Sequence, residues 1–233
     1  MGENLADWSK EASAINRVRQ QYGKGEKKGW FLGREMIGRD KKINQGVYVG
    51  AGEREAIVVD DEKDLPLNDV YKQLLVMRLR AKKIRGTSFR EGLLQDIFNL
   101  TKETMPVDIG NVEKVRKDLG GSDRKTYLSS FFGGGVCRHQ ALLAGYLLER
   151  LKKEGKIGGD VSVDRNSTDE GGHAWVRYTN SKGKITILDP ALNFRGYLKD
   201  VQVGDKNWPY YRKSDLRKRK AKKIVQTVGF KAK

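Results

Sequence analysis

The chain has a single cysteine, Cys137, and its position suits a nucleophile. It follows Gly133-Gly134-Gly135-Val136 and opens an apolar run: Ala141, Leu142, Leu143, Ala144, Tyr146, Leu147, Leu148 and Leu151. That run predicts a buried central helix beginning at the cysteine. A thiol at a helix N-terminus is shifted toward thiolate by the unpaired N–H groups and the helix dipole. The same N–H groups are donors for a developing oxyanion. Three glycines ahead of the cysteine would let a substrate backbone approach closely. Taken singly, the glycine run reads as a flexible lead into the helix and the cysteine as an inert buried residue.

Two further motifs change that reading. His173 stands in Gly171-Gly172-His173-Ala174-Trp175-Val176, at the start of a predicted strand. Asp189 stands in Ile187-Leu188-Asp189-Pro190, at the end of the next. Between them, Asn180-Ser181-Lys182-Gly183 suits a type I turn closed by a left-handed glycine bulge. In that register Asn180 faces Lys184, Trp175 faces Asp189 and His173 faces Ala191. Residues two apart on a strand share a face. His173 and Asp189 become diagonal neighbours, ~7–8 Å apart by their backbones, within reach of an imidazole–carboxylate hydrogen bond. A loop of even length without a bulge would place them on opposite faces.

The chemistry such a set performs is acyl transfer. His173 takes the thiol proton, Asp189 holds the ring and stabilises its charged form, and Cys137 attacks an amide carbonyl to give a thioester. His139, two positions after the cysteine, points away from the thiol and reads as a structural or surface residue. Arg138 is either a substrate contact or a solvated residue of the helix start. One cysteine and two histidines do not compose a usual zinc set, so no metal and no cofactor are expected. Carboxylate-only calcium or magnesium binding stays open.

The elements that must position these residues follow from periodicity. Residues 1–28 predict a basic amphipathic helix, with Leu5, Trp8, Ala12 and Ile15 on one face, then a glycine- and lysine-rich linker. Gly46 to Ala51 and Glu55 to Val59 predict a hairpin. Asp60 to Asp64 reads as a solvated acidic bend. Leu67 to Arg85 predicts a helix that is basic toward its end. Ser88 followed by Glu91 is a capping-box pattern for a second helix, to about Glu103. A short helix near Val112–Leu119 ends at Gly120-Gly121. Strands are predicted at Asp160–Asp164, His173–Thr179 and Lys184–Leu188.

The 233 residues carry 47 Lys and Arg against 30 Asp and Glu, a net charge of +17. That excess favours anionic partners without choosing among nucleic acid, acidic protein and membrane. Hydrophobic residues are 37% of the chain, so much of it must lie at the surface or in extensions. No apolar run approaches the ~20 residues that span a bilayer, and Met1 to Lys10 carry no signal-peptide core. A cytoplasmic protein is expected; export by a route without a cleavable signal gives the same pattern.

Gly135-Val136-Cys137-Arg138 with Ala141, His173-Ala174-Trp175-Val176 with Tyr178, and Leu188-Asp189-Pro190, in this order, resemble the transglutaminase-like superfamily. The resemblance spans roughly residues 88–198 and implies an α+β, papain-like core. In such a core the cysteine-bearing helix packs on an antiparallel sheet. It matches Cys137, His173 and Asp189 to the family's triad. It implies action on protein carboxamides or peptide bonds: transglutamination, deamidation, peptide hydrolysis or removal of amide-linked glycans. Calcium regulation through added β-domains is not implied, because no such domains are present. The expected division is an N-terminal extension over 1–66, a catalytic core over 67–200 and a basic tail over 201–233.

Two alternatives accompany that reading. One is a cysteine protease or glutamine-deamidating effector. The other, of a different class, is a basic binding module for nucleic acid or acidic protein. It would use the run Arg78–Arg85, the tail Arg212–Lys223 and the nearby aromatics Phe194, Trp208, Tyr210 and Tyr211.

Overall fold

The computed structural model describes residues 29–50, 56–86, 88–118, 125–168, 171–201 and 210–217. The amphipathic helix expected over residues 1–28 and the hairpin tip at 51–55 lie outside them. The architecture is α+β. Two small strands, β1 (Trp30–Phe31) and β2 (Arg34–Glu35), precede the hairpin β3 (Gly46–Val49) and β4 (Ala56–Val59). Helices α1 (Leu65–Arg85), α2 (Leu93–Thr104) and α3 (Ile109–Asp118) follow. Strand β5 (Lys125–Tyr127) then pairs in parallel with β4. Helix α4 (Cys137–Lys153) leads to β6 (Asp160–Thr168), β7 (Gly171–Thr179), β8 (Ile185–Asp189) and β9 (Phe194–Tyr197). These four form one antiparallel sheet in chain order.

Strand alternation divides that sheet between two layers. Val163, Ala174, Val176 and Leu188 join the main core with α4, whose Leu142, Leu143, Leu147, Leu148 and Leu151 are fully buried. Each such side chain contributes roughly 1.5–3 kcal/mol by leaving water. Helix and sheet meet closely at Gly145, where a Cβ would lie 2.9 Å from Ile43 Cδ1 and 3.0 Å from Val163 Cγ2. On the opposite face, Trp175 and Ile187 pack with Leu198, Val201, Tyr210 and Tyr211.

Several expectations need correction. The helix after Ser88 begins only at Leu93, because Gly92 stands at φ 70, a left-handed conformation that no helix interior holds. Ser88 still accepts the Glu91 N–H, at 3.2 Å, but closes a turn. Arg78 is buried; its guanidinium binds Asp96 and the carbonyls of Ser88, Phe89 and Glu91, so it organises this turn and belongs to no basic patch. The acidic bend is solvated at Glu62 and Lys63, but its aspartates are tied into the fold. Asp60 bonds Arg34 at 2.6 Å, Asp61 binds Arg150 and Tyr146, and Asp64 accepts the Ser129 N–H at 3.1 Å.

Packing and ion pairs run across the expected divisions at residues 66 and 200. Ile37, Ile43, Ile57 and Val59 belong to the same core as α4. Beyond residue 200, Arg212 makes a two-pronged ion pair with the fully buried Asp164, at 2.7 and 2.6 Å, and reaches Asp40. Asp215 does the same with Arg177, at 2.9 and 2.7 Å. Residues 210–217 are therefore part of the folded body. Bidentate pairing of this kind fixes orientation as well as charge.

Candidate active site

Cys137 is the first residue of α4, and Val136 precedes it in extended conformation. The helix start is held by His139, whose Nδ1 accepts the Val136 N–H at 3.0 Å. This is the reciprocal half of a capping box, with an imidazole in the place usually taken by a glutamate. The His139 ring is fully buried and stacks on Phe131 at 3.8 Å. It supports the helix end, in keeping with its structural reading, and stays out of the reacting set.

Within the glycine run, Gly134 and Gly135 are buried and serve packing, while Gly133 is exposed. Gly133 and Gly135 donate to the carbonyls of Thr104 and Pro106, each at 2.8 Å, and Gly135 O accepts the Asp108 N–H at 2.8 Å. A Cβ on Gly135 would fall 2.6 Å from Met105 Cγ, and one on Gly134 2.8 Å from Asn111 Cβ. The run is thus zipped against the segment that joins α2 to α3, and this sets where the thiol sits.

The β7–β8 turn has the anticipated form. Asn180 N–H bonds Lys184 O at 3.0 Å, Gly183 N–H bonds Asn180 O at 2.8 Å, and Gly183 adopts φ 73. The register runs Thr179↔Ile185 to Val176↔Leu188, so the next position sets Trp175 against Asp189. His173 and Asp189 then share a face, and His173 Nε2 meets Asp189 Oδ2 at 2.5 Å. The thiol of Cys137 hydrogen-bonds the same imidazole. With Nε2 committed to the carboxylate, Nδ1 is the ring nitrogen left for sulfur. The Ala174 backbone N–H also donates to the sulfur.

Asp189 is completely buried and meets three donors among the described residues. Besides His173, Oδ2 accepts the Tyr210 hydroxyl at 2.9 Å, and Oδ1 accepts the Leu192 N–H at 3.2 Å. Trp175 covers the group: its ring stacks on His173 at 6.1 Å and meets Tyr210 edge-on at 5.3 Å.

No family model, curated protein or solved structure matches this chain. What the site can do therefore rests on its own electrostatics.

Burial pushes the Cys137 thiol up, but the His173 hydrogen bond and charge, the Ala174 N–H and the Arg138 charge together bring it below its ordinary value. Burial likewise depresses His173, and the bonds to Asp189 and Cys137 outweigh it, so the ring is pushed up to about 9. The two shifts favour the same state at neutral pH: thiolate beside imidazolium.

Cys137, His173 and Asp189, picked out from the sequence, meet at one point. Sequence reasoning did not place Tyr210 at the site; it named Tyr210, Tyr211 and Phe194 only as base-stacking aromatics of the binding-module alternative. Tyr210 and Tyr211 are buried with their hydroxyls engaged, and Phe194 stacks on Tyr210 at 5.1 Å. Trp208 lies outside the described residues. The usable signal was two adjacent tyrosines in an otherwise polar stretch, which mark an anchor. Among the described residues there is no cluster of three or more potential metal ligands, and no helix is long and apolar enough to cross a membrane.

Proposed function

We propose that this chain is a cysteine-dependent acyl-transfer enzyme acting on amide bonds of proteins or peptides, built on a papain-like core of the transglutaminase-like kind. The observation that carries the reading is one imidazole bonded on one side to a half-buried thiol and on the other to a fully buried carboxylate. The order of its parts supports the family: cysteine at the mouth of a central helix, histidine and aspartate on adjacent antiparallel strands.

The thiolate attacks the amide carbonyl, and the sulfur–carbon bond forms as the carbonyl electrons move onto oxygen. The Cys137 backbone N–H, first in the helix and without an i−4 carbonyl, is a donor placed for that oxyanion. Collapse of the adduct breaks the carbon–nitrogen bond while the His173 imidazolium gives its proton to the leaving amine. A thioester on Cys137 remains. In the second half His173, now neutral, takes a proton from water or from an incoming amine, whose attack releases the acyl group and restores the ion pair. Asp189 keeps Nε2 committed, so Nδ1 stays directed at sulfur throughout.

Trapping tests the reading. A pool of glutamine-containing proteins is offered at neutral pH, and acylated Cys137 is sought by mass spectrometry after an acid quench. An acyl adduct on Cys137 is expected, absent from Cys137→Ala. Incorporation of a labelled primary amine would mark transglutamination, ammonia release without incorporation would mark deamidation, and new N-termini would mark proteolysis. A chain that gives none of these across a broad pool, with its thiol intact, is not this enzyme.

A further inference from the structure

Asp189 takes its second strong donor from a part of the chain that the triad does not include. The Tyr210 hydroxyl lies 2.9 Å from Oδ2, the same oxygen that binds His173. Tyr210 is only 1% exposed, fixed between Phe194, stacked at 5.1 Å, and Trp175, edge-on at 5.3 Å. Burial and the neighbouring carboxylate push the phenol far up, so it stays protonated and acts as a donor.

What holds Tyr210 there is equally specific. The Tyr211 hydroxyl lies 2.6 Å from the Leu198 carbonyl oxygen and 2.5 Å from that of Val201, donating its one proton between them. Arg212 forks onto Asp164 and bonds Ser162 at 2.9 Å and Asp40 at 2.9 and 3.0 Å. Asp215 forks onto Arg177 of β7, the strand that carries His173. Residues 210–217 thus form a clasp across the sheet face opposite α4.

We propose that Tyr210 is a positioning residue for the triad: it fixes and tempers the Asp189 carboxylate, and the clasp 210–217 is the device that delivers it. The role rests on the acyl-transfer reading only for its effect on turnover; its effect on His173 is independent of any substrate. A donor on Oδ2 withdraws charge from the oxygen that attracts the imidazolium. Without it, Oδ2 is more basic, His173 holds its proton to higher pH, and the carboxylate gains freedom to turn.

The chain has only two histidines, so the His173 ring can be followed by nitrogen-edited NMR with His139 as an internal control. In Tyr210→Phe the His173 midpoint should rise by about one pH unit, with His139 unmoved. Should Tyr210→Phe fail to fold, 3-fluorotyrosine at position 210 keeps the shape and strengthens the donor, and the midpoint should fall. Arg212→Lys, which keeps the charge and loses the fork, should move His173 in the direction of Tyr210→Phe by a smaller amount. Where turnover is measurable, Tyr210→Phe should lower kcat on the order of tenfold with KM unchanged. A midpoint that is unmoved in Tyr210→Phe or in the fluorotyrosine protein, or that moves opposite to these signs, overturns the proposal. If no acyl transfer is found and the midpoint still shifts as stated, the positioning role stands and the enzymatic reading alone fails.

Discussion

Asp189 Oδ2 and His173 Nε2 lie 2.5 Å apart although sixteen residues separate them in the chain. One turn sets that distance. Gly183 at φ 73 supplies the bulge that adds a residue to the loop, and the odd count puts both side chains on one face of the β7–β8 ribbon. The face is the one turned away from the apolar contacts of α4 and covered by Trp175 and Tyr210.

Loss of the imidazole should expose how much the thiol depends on it. In His173→Ala the burial that raises the Cys137 thiol remains, and the largest opposing influence is gone. Alkylation of Cys137 by iodoacetamide at pH 6–7 should slow by on the order of tenfold or more. Equal rates in wild type and variant would dissolve the pairing.

The pH dependence should be bell-shaped in kcat/KM. On the acid side activity is lost as the thiolate protonates, at a pH below the ordinary thiol value. On the alkaline side it is lost as His173 gives up the proton needed by the leaving amine, near 9. A rate that keeps rising well past pH 10 would deny His173 the role of acid.

Asp189→Asn tests the carboxylate at nearly constant shape. The first-ranked influence on His173, burial, lowers its pKa, and the bond to Asp189 is the leading influence that raises it. The alkaline limb should therefore move below 9, with kcat reduced on the order of a hundredfold or more. Titration of the ring by NMR gives the same answer without substrate; a midpoint still near 9 would contradict it.

Gly135→Ala tests the seat of the nucleophile. The new methyl would meet Met105 Cγ at 2.6 Å and His139 Cβ at 3.0 Å, so the Met105 side chain or the segment leading into α4 must shift. A loss of roughly 1–3 kcal/mol in urea unfolding is expected, together with slower alkylation of Cys137 as the helix mouth moves.

Arg212→Ala tests whether residues 210–217 belong to the folded body. It leaves Asp164, wholly buried, without its main counter-charge. Denaturation should show a loss of about 3–5 kcal/mol. A change within half a kcal/mol would return this segment to the status of a loose tail.

The sequence by itself determined what depends on short-range spacing. The length of the Asn180–Gly183 loop set the β7–β8 register. The apolar run after Cys137 set a buried helix with the thiol at its mouth, and the period-2 pattern put His173 and Asp189 on one side. Each is decided by contacts within a turn or across a hairpin, where residue type and count suffice. Only the tertiary structure decided what those elements meet. It packed Gly134 and Gly135 of the glycine run against Asn111 and Met105, made Arg78 and Asp64 buried ties, and brought Tyr210 onto Asp189. These contacts join segments linked by loops with no periodicity. Their partners are chosen by which surfaces remain to be covered and which buried charges to be balanced once the core has formed, and no local pattern encodes that choice.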